Sequence, residues 1–334
     1  MNQTVMKIDD LRLVFPISRS LVDVVKGRPG REVNALNGVS LELKQGETLG
    51  VVGESGCGKS TLARCIVRLN QPTSGQIHFD GQDVFEGKML KDRSYNRRVQ
   101  MMFQDPYSSL NPRMTTGQIL TEALRVHEMR PHDQVDERVS ELLDLVRLPQ
   151  DAKDKLPHEF SGGQRQRIAI ARALAVEPEI LIADELVSAL DVSVQAQVVN
   201  LLLELQERLS LTVLFVAHDL RLVRHVSNRV AVIYLGRIVE IGDSETLFSA
   251  PAHPYSQALL SAAPSLDPDD KGQAIRLEGE LPSPLNIPPG CPFHVRCQYA
   301  ADRCRTDQPA LRPLTTGGEV ACHFAESLEQ NDHA

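Results

Sequence analysis

The chain has 334 residues, 42% of them hydrophobic and 24% charged, which is usual for a globular protein and excludes a largely disordered one. At about 150 residues per domain, this length predicts roughly two domains. Lys and Arg total 36 against 44 Asp and Glu, a net charge of −8 that argues against nucleic acid as the main partner. Because the sequence has no membrane-length apolar run and its start does not resemble a secretory signal, we expect a cytoplasmic protein.

The N-terminal quarter predicts β-structure of two kinds. Ile8–Phe15 and Ala35–Leu43 are expected to be antiparallel strands on either side of a polar insertion, Pro16–Val33. Thr48–Val52 differs because it is almost continuously apolar, which is typical of a strand in a parallel sheet covered on both faces.

Later segments indicate an α/β domain. Ile180–Ala183 and Thr212–Ala217 repeat the buried-strand pattern. Between them, Gln195–Leu209 carries apolar residues at spacings of four, three and four, which predicts a helix with one apolar face. Strands that alternate with helices predict a parallel sheet.

Two further regions complete the predicted organisation. Residues 116–157 are helical by pattern and rich in charge, so we expect a helical subdomain at about 105–165. Prolines become frequent from Pro251 onward, which disfavours long helices. We therefore predict a domain at 1–250 followed by a C-terminal extension at 251–334.

A glycine-rich segment after the Thr48–Val52 strand fits the pattern G-x-x-x-x-G-K-[ST] and leads into a helix. Glycines let the backbone N–H groups point at phosphate oxygens, and the helix N-terminus adds its positive dipole end. Lys59 is expected to reach the β- and γ-phosphates, and the Ser60 hydroxyl to ligate Mg²⁺. The residues predicted to contact the nucleotide here are Gly53, Ser55, Gly56, Cys57, Gly58, Lys59, Ser60 and Thr61.

Two acidic residues and a second helix start point to nucleotide hydrolysis. Asp184 follows a buried strand, where its carboxylate could hold Mg²⁺ through water, and the adjacent Glu185 could act as general base. Ser161 and Gln164 have the spacing of a capping box at a glycine-rich helix start, which is a second site for an anion. Two such helix ends in one chain favour two copies that share nucleotides across an interface.

Across residues 8–250 the sequence resembles the ATP-binding-cassette (ABC) family. Gly53–Thr61 is similar to the Walker A loop, Ile180–Glu185 to the Walker B strand and Ser161–Gln164 to the signature motif. Gln104 matches the Q-loop glutamine, Ser188–Asp191 the D-loop and His218 the switch histidine. The resemblance implies a P-loop cassette with a RecA-like parallel-sheet core, an antiparallel β part and a helical subdomain.

The same resemblance implies a role for each matched residue. Two cassettes would close head to tail around two ATP molecules, each held by the Lys59 side of one cassette and the signature residues of the other. Gln104 would sense the γ-phosphate and Mg²⁺, Asp191 would communicate across the dimer, and His218 would stabilise the γ-phosphate. Phe15 is expected to stack on adenine, unless it is a buried core residue. The signature residues are Ser161, Gly162, Gly163 and Gln164.

A narrower resemblance covers most of the chain. Glu54–Cys57, Val187–Gln195, His253–Tyr255 and Gly279–Pro284 are similar to segments of dipeptide and oligopeptide importer ATPases, most of all the second subunit, lettered F. This implies a peripheral protein at the cytoplasmic face of the inner membrane, with two permease subunits, a second and different cassette, and an extracytoplasmic solute-binding protein. Leu186 stands where the family usually has proline after the glutamate, so we expect modestly altered hydrolysis.

Four of the six cysteines lie near the C-terminus at Cys291, Cys297, Cys304 and Cys322. Four thiolates in a reduced compartment suit a tetrahedral zinc site or an iron–sulfur cluster, and the lack of C-x₂-C pairs favours a [4Fe–4S] cluster. Such a cluster is also associated with similar importer ATPases. Free or oxidised thiols are the third possibility.

Two other functions compete with an importer ATPase. One is a soluble cassette ATPase acting on ribosomes or DNA, although such chains usually carry two cassettes or a long coiled-coil insertion, which this sequence lacks. The other is a regulatory cassette that binds ATP with little turnover. The presence of Glu185 and His218 argues against it, whereas Leu186 is compatible with it.

Overall fold

The structure is a computed structural model, and it describes residues 3–17, 30–87, 89–103, 109–261, 275, 277, 279–315 and 317–326. The strands within these ranges are β1 (Thr4–Pro16), β2 (Glu32–Lys44), β3 (Thr48–Val52), β4 (Ser74–Phe79), β5 (Gln82–Asp83), β6 (Val99–Met102), β7 (Ile180–Asp184), β8 (Thr212–Val216), β9 (Arg229–Tyr234), β10 (Arg237–Asp243), β11 (Arg312–Pro313) and β12 (Glu319–Val320).

The α-helices within the same ranges are α1 (Lys59–Ile66), α2 (Arg93–Arg98), α3 (Thr116–Val126), α4 (Val135–Leu145), α5 (Gly162–Leu174), α6 (Val192–Leu209), α7 (Leu220–Val226), α8 (Ser244–Ser249), α9 (Pro254–Ser261) and α10 (Asp302–Thr306). Short 3₁₀ turns include Gln150–Asp154, Pro157–Glu159 and His294–Arg296. None of these helices has the length and hydropathy needed to span a bilayer.

The described residues form two compact units that alternate along the chain. The first consists mainly of Glu86–Ala217, with Lys44–Thr48. The second contains Thr4–Leu43, Leu49–Phe85 and the part of the chain that begins at His218.

The first unit has a parallel sheet with the strand order β6, β7, β8. Every residue of β7 and β8 is buried, which confirms the prediction from their apolar sequences. Helices α3 and α4 confirm the predicted helical pattern of residues 116–157. Helix α6 begins at Val192, three residues earlier than its apolar stripe predicted, because Asp191 takes the N-cap position. Strand β6 was not among the strands predicted from the sequence.

The second unit contains two sheets. Strands β2, β1, β4 and β5 are neighbours in that order, and β1 pairs antiparallel to β4 with Ile8 opposite Ile77. Strand β3 pairs in parallel with β9, and β10 pairs antiparallel with both β9 and β12. The predicted strands Ile8–Phe15 and Ala35–Leu43 are thus confirmed as the central parts of β1 and β2. Most of the predicted insertion, residues 18–29, lies outside the described residues.

Candidate nucleotide site

The phosphate loop lies between β3 and α1, as its sequence pattern predicted. Gly58 is the N-cap residue of α1 with a φ of 109°, a conformation that L side chains rarely adopt. A Cβ at Gly58 would also lie 2.6 Å from the carbonyl oxygen of Ala35 in β2. The loop is tied to the β9–β10 turn as well, since the N–H of Gly236 donates to the carbonyl of Cys57 at 2.8 Å. Glycine at position 58 therefore serves both the turn and the close packing.

Lys59 is buried, with 5% of its surface exposed, although it carries a charge. Its ammonium donates to the carbonyl oxygens of Gly53 at 2.7 Å and Glu54 at 3.1 Å. The loop thus holds a cation at its centre, and Ser60 and Thr61 lie in the first turn of α1 beside it. This arrangement fits a triphosphate chelated by Mg²⁺, because a buried cation, a helix N-terminus and a hydroxyl are grouped within one loop.

The two cysteines near this loop are packing residues. Cys57 is 1% exposed, and burial raises the pKa of its thiol although the nearby Lys59 acts in the opposite direction. Desolvation therefore has the larger effect on this thiol. Burial likewise raises the pKa of Cys65 to about 12.

The acidic pair of the first unit lies at the carboxyl end of β7. Asp184 is the last residue of this strand and is only 4% exposed, whereas Glu185 is half-buried. Glu185 has a φ of 48°, and its N–H donates to the carbonyl of Val216 at 2.9 Å. Ser188 donates to the carbonyl of Glu185 from both its N–H and its hydroxyl, at 3.1 and 3.0 Å. Leu186 is buried at 2% exposure, so packing and hydrogen bonds fix this turn without a proline.

The signature segment forms the predicted capping box at the start of α5. The Gln164 N–H donates to the Ser161 hydroxyl at 3.3 Å, and the Ser161 N–H donates to the Gln164 side-chain oxygen at 3.0 Å. Gly163 has a second reason to be glycine that the sequence did not reveal. A Cβ there would collide with the side chain of Val194 in α6, so glycine allows the two helices to approach closely.

Gln195 was not among the site residues predicted from the sequence. Its side-chain amide donates to the carbonyls of Val187 at 3.0 Å and Leu190 at 2.9 Å. From its place in the first turn of α6, Gln195 therefore fixes the segment that resembles the D-loop. An amide in the first turn of a helix after an irregular segment is the one sequence signal that could have indicated this.

The remaining predicted nucleotide residues have different positions. Asp191 is exposed at the N-cap of α6, and His218 is exposed immediately before the N-cap of α7. Phe15 lies near the end of β1 with 39% of its surface exposed, so the alternative of a buried core phenylalanine is wrong. Gln104 lies outside the described residues.

The four C-terminal cysteines converge in the second unit. Cys291, Cys297, Cys304 and Cys322 line one cavity of about 20 Å³, which holds about one water molecule. Burial raises the pKa of Cys291 and of Cys297 to about 11 each. Four thiols at one cavity fit the donor chemistry of a thiolate-bound metal. However, no three His, Cys, Asp or Glu side chains in the described part of the chain have the arrangement of a metal site.

Comparison with known proteins agrees with these structural features. A family model described as ABC transporter matches residues 36–188, and one described as Oligopeptide/dipeptide transporter, C-terminal region, matches residues 239–304. The dipeptide transport ATP-binding protein DppF of Escherichia coli strain K12 is 46% identical over 331 residues, which cover 99% of this chain and 97% of that protein. The oligopeptide transport ATP-binding protein AppF of Bacillus subtilis strain 168 is 49% identical over 327 residues, or 96% and 98%.

Solved structures show the same fold. CbiO1 from Clostridium perfringens, part of the ABC transporter complex cbiONQ, has a TM-score of 0.62 at 28% identity and covers 75% of this chain and 92% of its own. The ATP-binding cassette MJ0796, solved as a dimer bound to ADP and Pi, has a TM-score of 0.61 at 26% identity and covers 72% and 98%. This protein therefore has the P-loop ABC cassette fold, and it belongs to the ATP-hydrolysing ATP-binding proteins of oligopeptide and dipeptide ABC transporters.

Proposed function

We propose that this chain energises the import of dipeptides, oligopeptides or a related small solute. We also propose that it is the second ATPase subunit of its transporter, the one lettered F. The observation that carries the proposal is the identity of 46% with DppF over 99% of the chain. The C-terminal region model supports the peptide class, because most of its match, residues 239–304, lies beyond the cassette. Specificity for one solute would reside in the partner proteins.

The proposal implies a defined set of partners at the cytoplasmic face of the membrane. Two permease subunits would form the pathway, an extracytoplasmic binding protein would deliver the solute, and a second, different cassette would pair with this one. Residues 1–250 would act as the nucleotide-binding cassette and residues 251–334 as its extension. Exposed Ser161 and Gln164 at the start of α5, together with exposed Asp191, leave polar groups available to a partner cassette.

Bound ATP and Mg²⁺ supply the phosphoryl group and the charge that neutralises its oxygens. Lys59 would hold the β- and γ-phosphates, and Ser60, Asp184 and Gln104 would hold the metal ion. Glu185 would polarise the attacking water as general base, while His218 would bind the γ-phosphate. Phe15, at the exposed end of β1, would stack on the adenine.

Affinity purification of the tagged chain from detergent-solubilised membranes tests the transport proposal. We expect mass spectrometry to identify two multi-span permeases and a second cassette, with the untagged strain as control. Recovery with ribosomal or repair proteins would contradict the proposal and favour a soluble cassette ATPase. Recovery of a second copy of this chain in place of a different cassette would contradict only the assignment as the second ATPase subunit, lettered F.

Glu185→Gln in the purified assembly tests the assigned hydrolysis chemistry. The amide keeps the shape of the side chain but cannot accept the proton of water, so the rate of ATP hydrolysis should fall by roughly 10²- to 10⁴-fold with little change in ATP affinity. Glu207→Gln, on the exposed face of α6, is the matched control. A parent assembly that binds ATP without hydrolysing it would instead indicate a regulatory cassette.

We further propose that the four C-terminal cysteines bind a [4Fe–4S] cluster, with zinc as the alternative metal. Their convergence on one cavity supports this, because thiolates are the ligands of both groups. We expect iron and acid-labile sulfide in equal amounts after anaerobic purification and neither in a variant with all four cysteines changed to serine. Zinc without sulfide would identify zinc as the bound metal. The absence of both iron and zinc would overturn the proposal of a metal site.

A further inference from the structure

The C-terminal part of the chain contacts the phosphate loop at one residue, Glu54, from two sides. The backbone N–H of Glu54 donates to the hydroxyl of Tyr255 at 2.9 Å, and its carboxylate accepts from the guanidinium of Arg296. We infer that Tyr255 and Arg296 are positioning residues that orient the phosphate loop and thereby set its affinity for ATP. This inference rests on the proposed nucleotide-binding role of the loop.

Tyr255 acts on the peptide group that also holds Lys59. The carbonyl of Gly53 and the N–H of Glu54 belong to one planar peptide, so a bond to either group fixes the orientation of both. Tyr255 accepts from the N–H, and the ammonium of Lys59 donates to the carbonyl at 2.7 Å. The tyrosine hydroxyl therefore determines the position of an oxygen that contacts the central cation of the loop.

The aromatic surroundings of Tyr255 make this contact rigid. Its side chain is fully buried, and its ring centroid lies 4.7 Å from that of Tyr234 and 5.5 Å from that of Phe293. Tyr234 is the last residue of β9, and its ring lies 5.3 Å from that of Phe293. A hydroxyl on a ring packed in this way has little freedom to follow the loop, so the loop has to conform to it.

Arg296 controls the charge of the loop at the same residue. Its terminal nitrogen Nη1 donates to both oxygens of Glu54, at 2.9 and 3.1 Å, and its side chain is 7% exposed. Hydrogen bonds between ionised groups are stronger than neutral ones, and a partly buried pair is screened less than an exposed one. Without Arg296, an uncompensated carboxylate would remain in a loop that has to attract polyphosphate. Arg296 therefore contributes orientation and also removes a repulsive charge.

Titration of the purified full-length chain with Mg²⁺–ATP tests the inference, together with the KM and kcat of hydrolysis. Tyr255→Phe removes only the hydroxyl, and Arg296→Met removes only the charge and its donors. We expect each to weaken ATP binding and to raise the KM about threefold to tenfold, the equivalent of one lost hydrogen bond, with a smaller change in kcat. Arg296→Lys should recover part of the affinity. Tyr299→Phe, at an exposed tyrosine of the same segment, is the matched control.

Glu54→Gln supplies the second arm. If Arg296 acts by compensating the carboxylate, adding Glu54→Gln to Arg296→Met should restore most of the lost affinity, because the repulsive charge is then absent. A purely structural role would lower the unfolding temperature and leave ATP affinity unchanged. Parent affinity in both Tyr255→Phe and Arg296→Met would overturn the inference. Parent affinity in Lys59→Ala would instead overturn the assignment of the phosphate loop itself.

Discussion

The buried carboxylate of Glu240 accepts a hydrogen bond from the backbone N–H of His253 at 2.9 Å. It accepts a second from the N–H of Ala252 at 2.8 Å, immediately before helix α9 begins at Pro254. Glu240 is 3% exposed, so these bonds are formed away from water. Strand β10 thus fixes the start of the helix that carries Tyr255.

Glu240→Ala should therefore destabilise the protein markedly. It leaves two buried N–H groups without this acceptor, and an unsatisfied buried donor costs about 1–3 kcal/mol. We expect the free energy of unfolding in urea to fall by at least that amount. Glu319→Ala, at an exposed position of the paired strand β12, should have little effect. Equal stability of the two variants would show that Glu240 is not needed at the helix start.

His253 predicts a dependence of stability on pH. Its Nδ1 accepts from the N–H of Tyr255 at 3.0 Å, so the buried ring is neutral, and burial lowers its pKa from 6.5 to about 3. In the unfolded chain His253 binds a proton below about pH 6.5, whereas in the folded chain it binds one only below about pH 3. The contribution of His253 is thus fully present above pH 6.5 and is lost as pH falls toward 3. The slope within this window is on the order of 1.4 kcal/mol per pH unit.

Urea unfolding at a series of pH values in parent and His253→Asn measures this effect. Asparagine keeps an oxygen that can accept from an N–H two residues later, but it does not titrate. The stability difference between parent and variant should therefore shrink or reverse as pH falls below 6. Parallel pH profiles would contradict the assignment of a buried neutral histidine.

Gly163 predicts a compensating pair of substitutions. Gly163→Ala places a methyl group against Val194, and overpacking of this kind costs about 1–3 kcal/mol. Val194→Ala removes the colliding methyl groups, so the double variant should unfold at a higher urea concentration than Gly163→Ala alone. Val194→Ala in the parent provides the control that completes the cycle. Additive losses would show that the two side chains do not meet.

Leu186 predicts a combined effect on stability and hydrolysis. The side chain is 2% exposed next to Glu185, and truncation of a buried leucine to alanine costs about 2–5 kcal/mol. Leu186→Ala should lower stability by this amount and also lower kcat, because Glu185 loses the packing that fixes its turn. Leu209→Ala, at a leucine that is 42% exposed, is the control. An unchanged kcat in a folded Leu186→Ala variant would show that the packing of this turn does not affect ATP hydrolysis.

Local features of this protein could be predicted well from its sequence. The phosphate loop, the buried strands β3, β7 and β8, and the capping box of Ser161 all depend on residues within about ten positions of one another. Their signals are periodicity, glycine spacing and cap chemistry, which act through the local backbone.

Contacts between distant residues could not be predicted in the same way. Glu54 and Tyr255 are 201 positions apart, and the bond that joins them is between a backbone N–H and a hydroxyl. Any residue except proline has such an N–H, so position 54 gives no hint of a specific partner. Likewise, the glycine at position 163 is the same letter in the sequence whether it leaves room for a ligand or for a neighbouring valine. Such choices are made by packing, which a single sequence does not display.

The short strand β12 has a consequence for the boundary of the folded protein. It pairs with β10 through Glu240 and Ile241, and the N–H of Ala321 donates to the carbonyl of Val239 at 2.8 Å. A chain cut before Arg312 would lose β11 and β12 and leave the edge of β10 with unpaired N–H and C=O groups. An open strand edge is a template for another strand. By covering this edge, β11 and β12 protect the protein from self-association. Their removal should therefore yield aggregates and not a smaller active cassette.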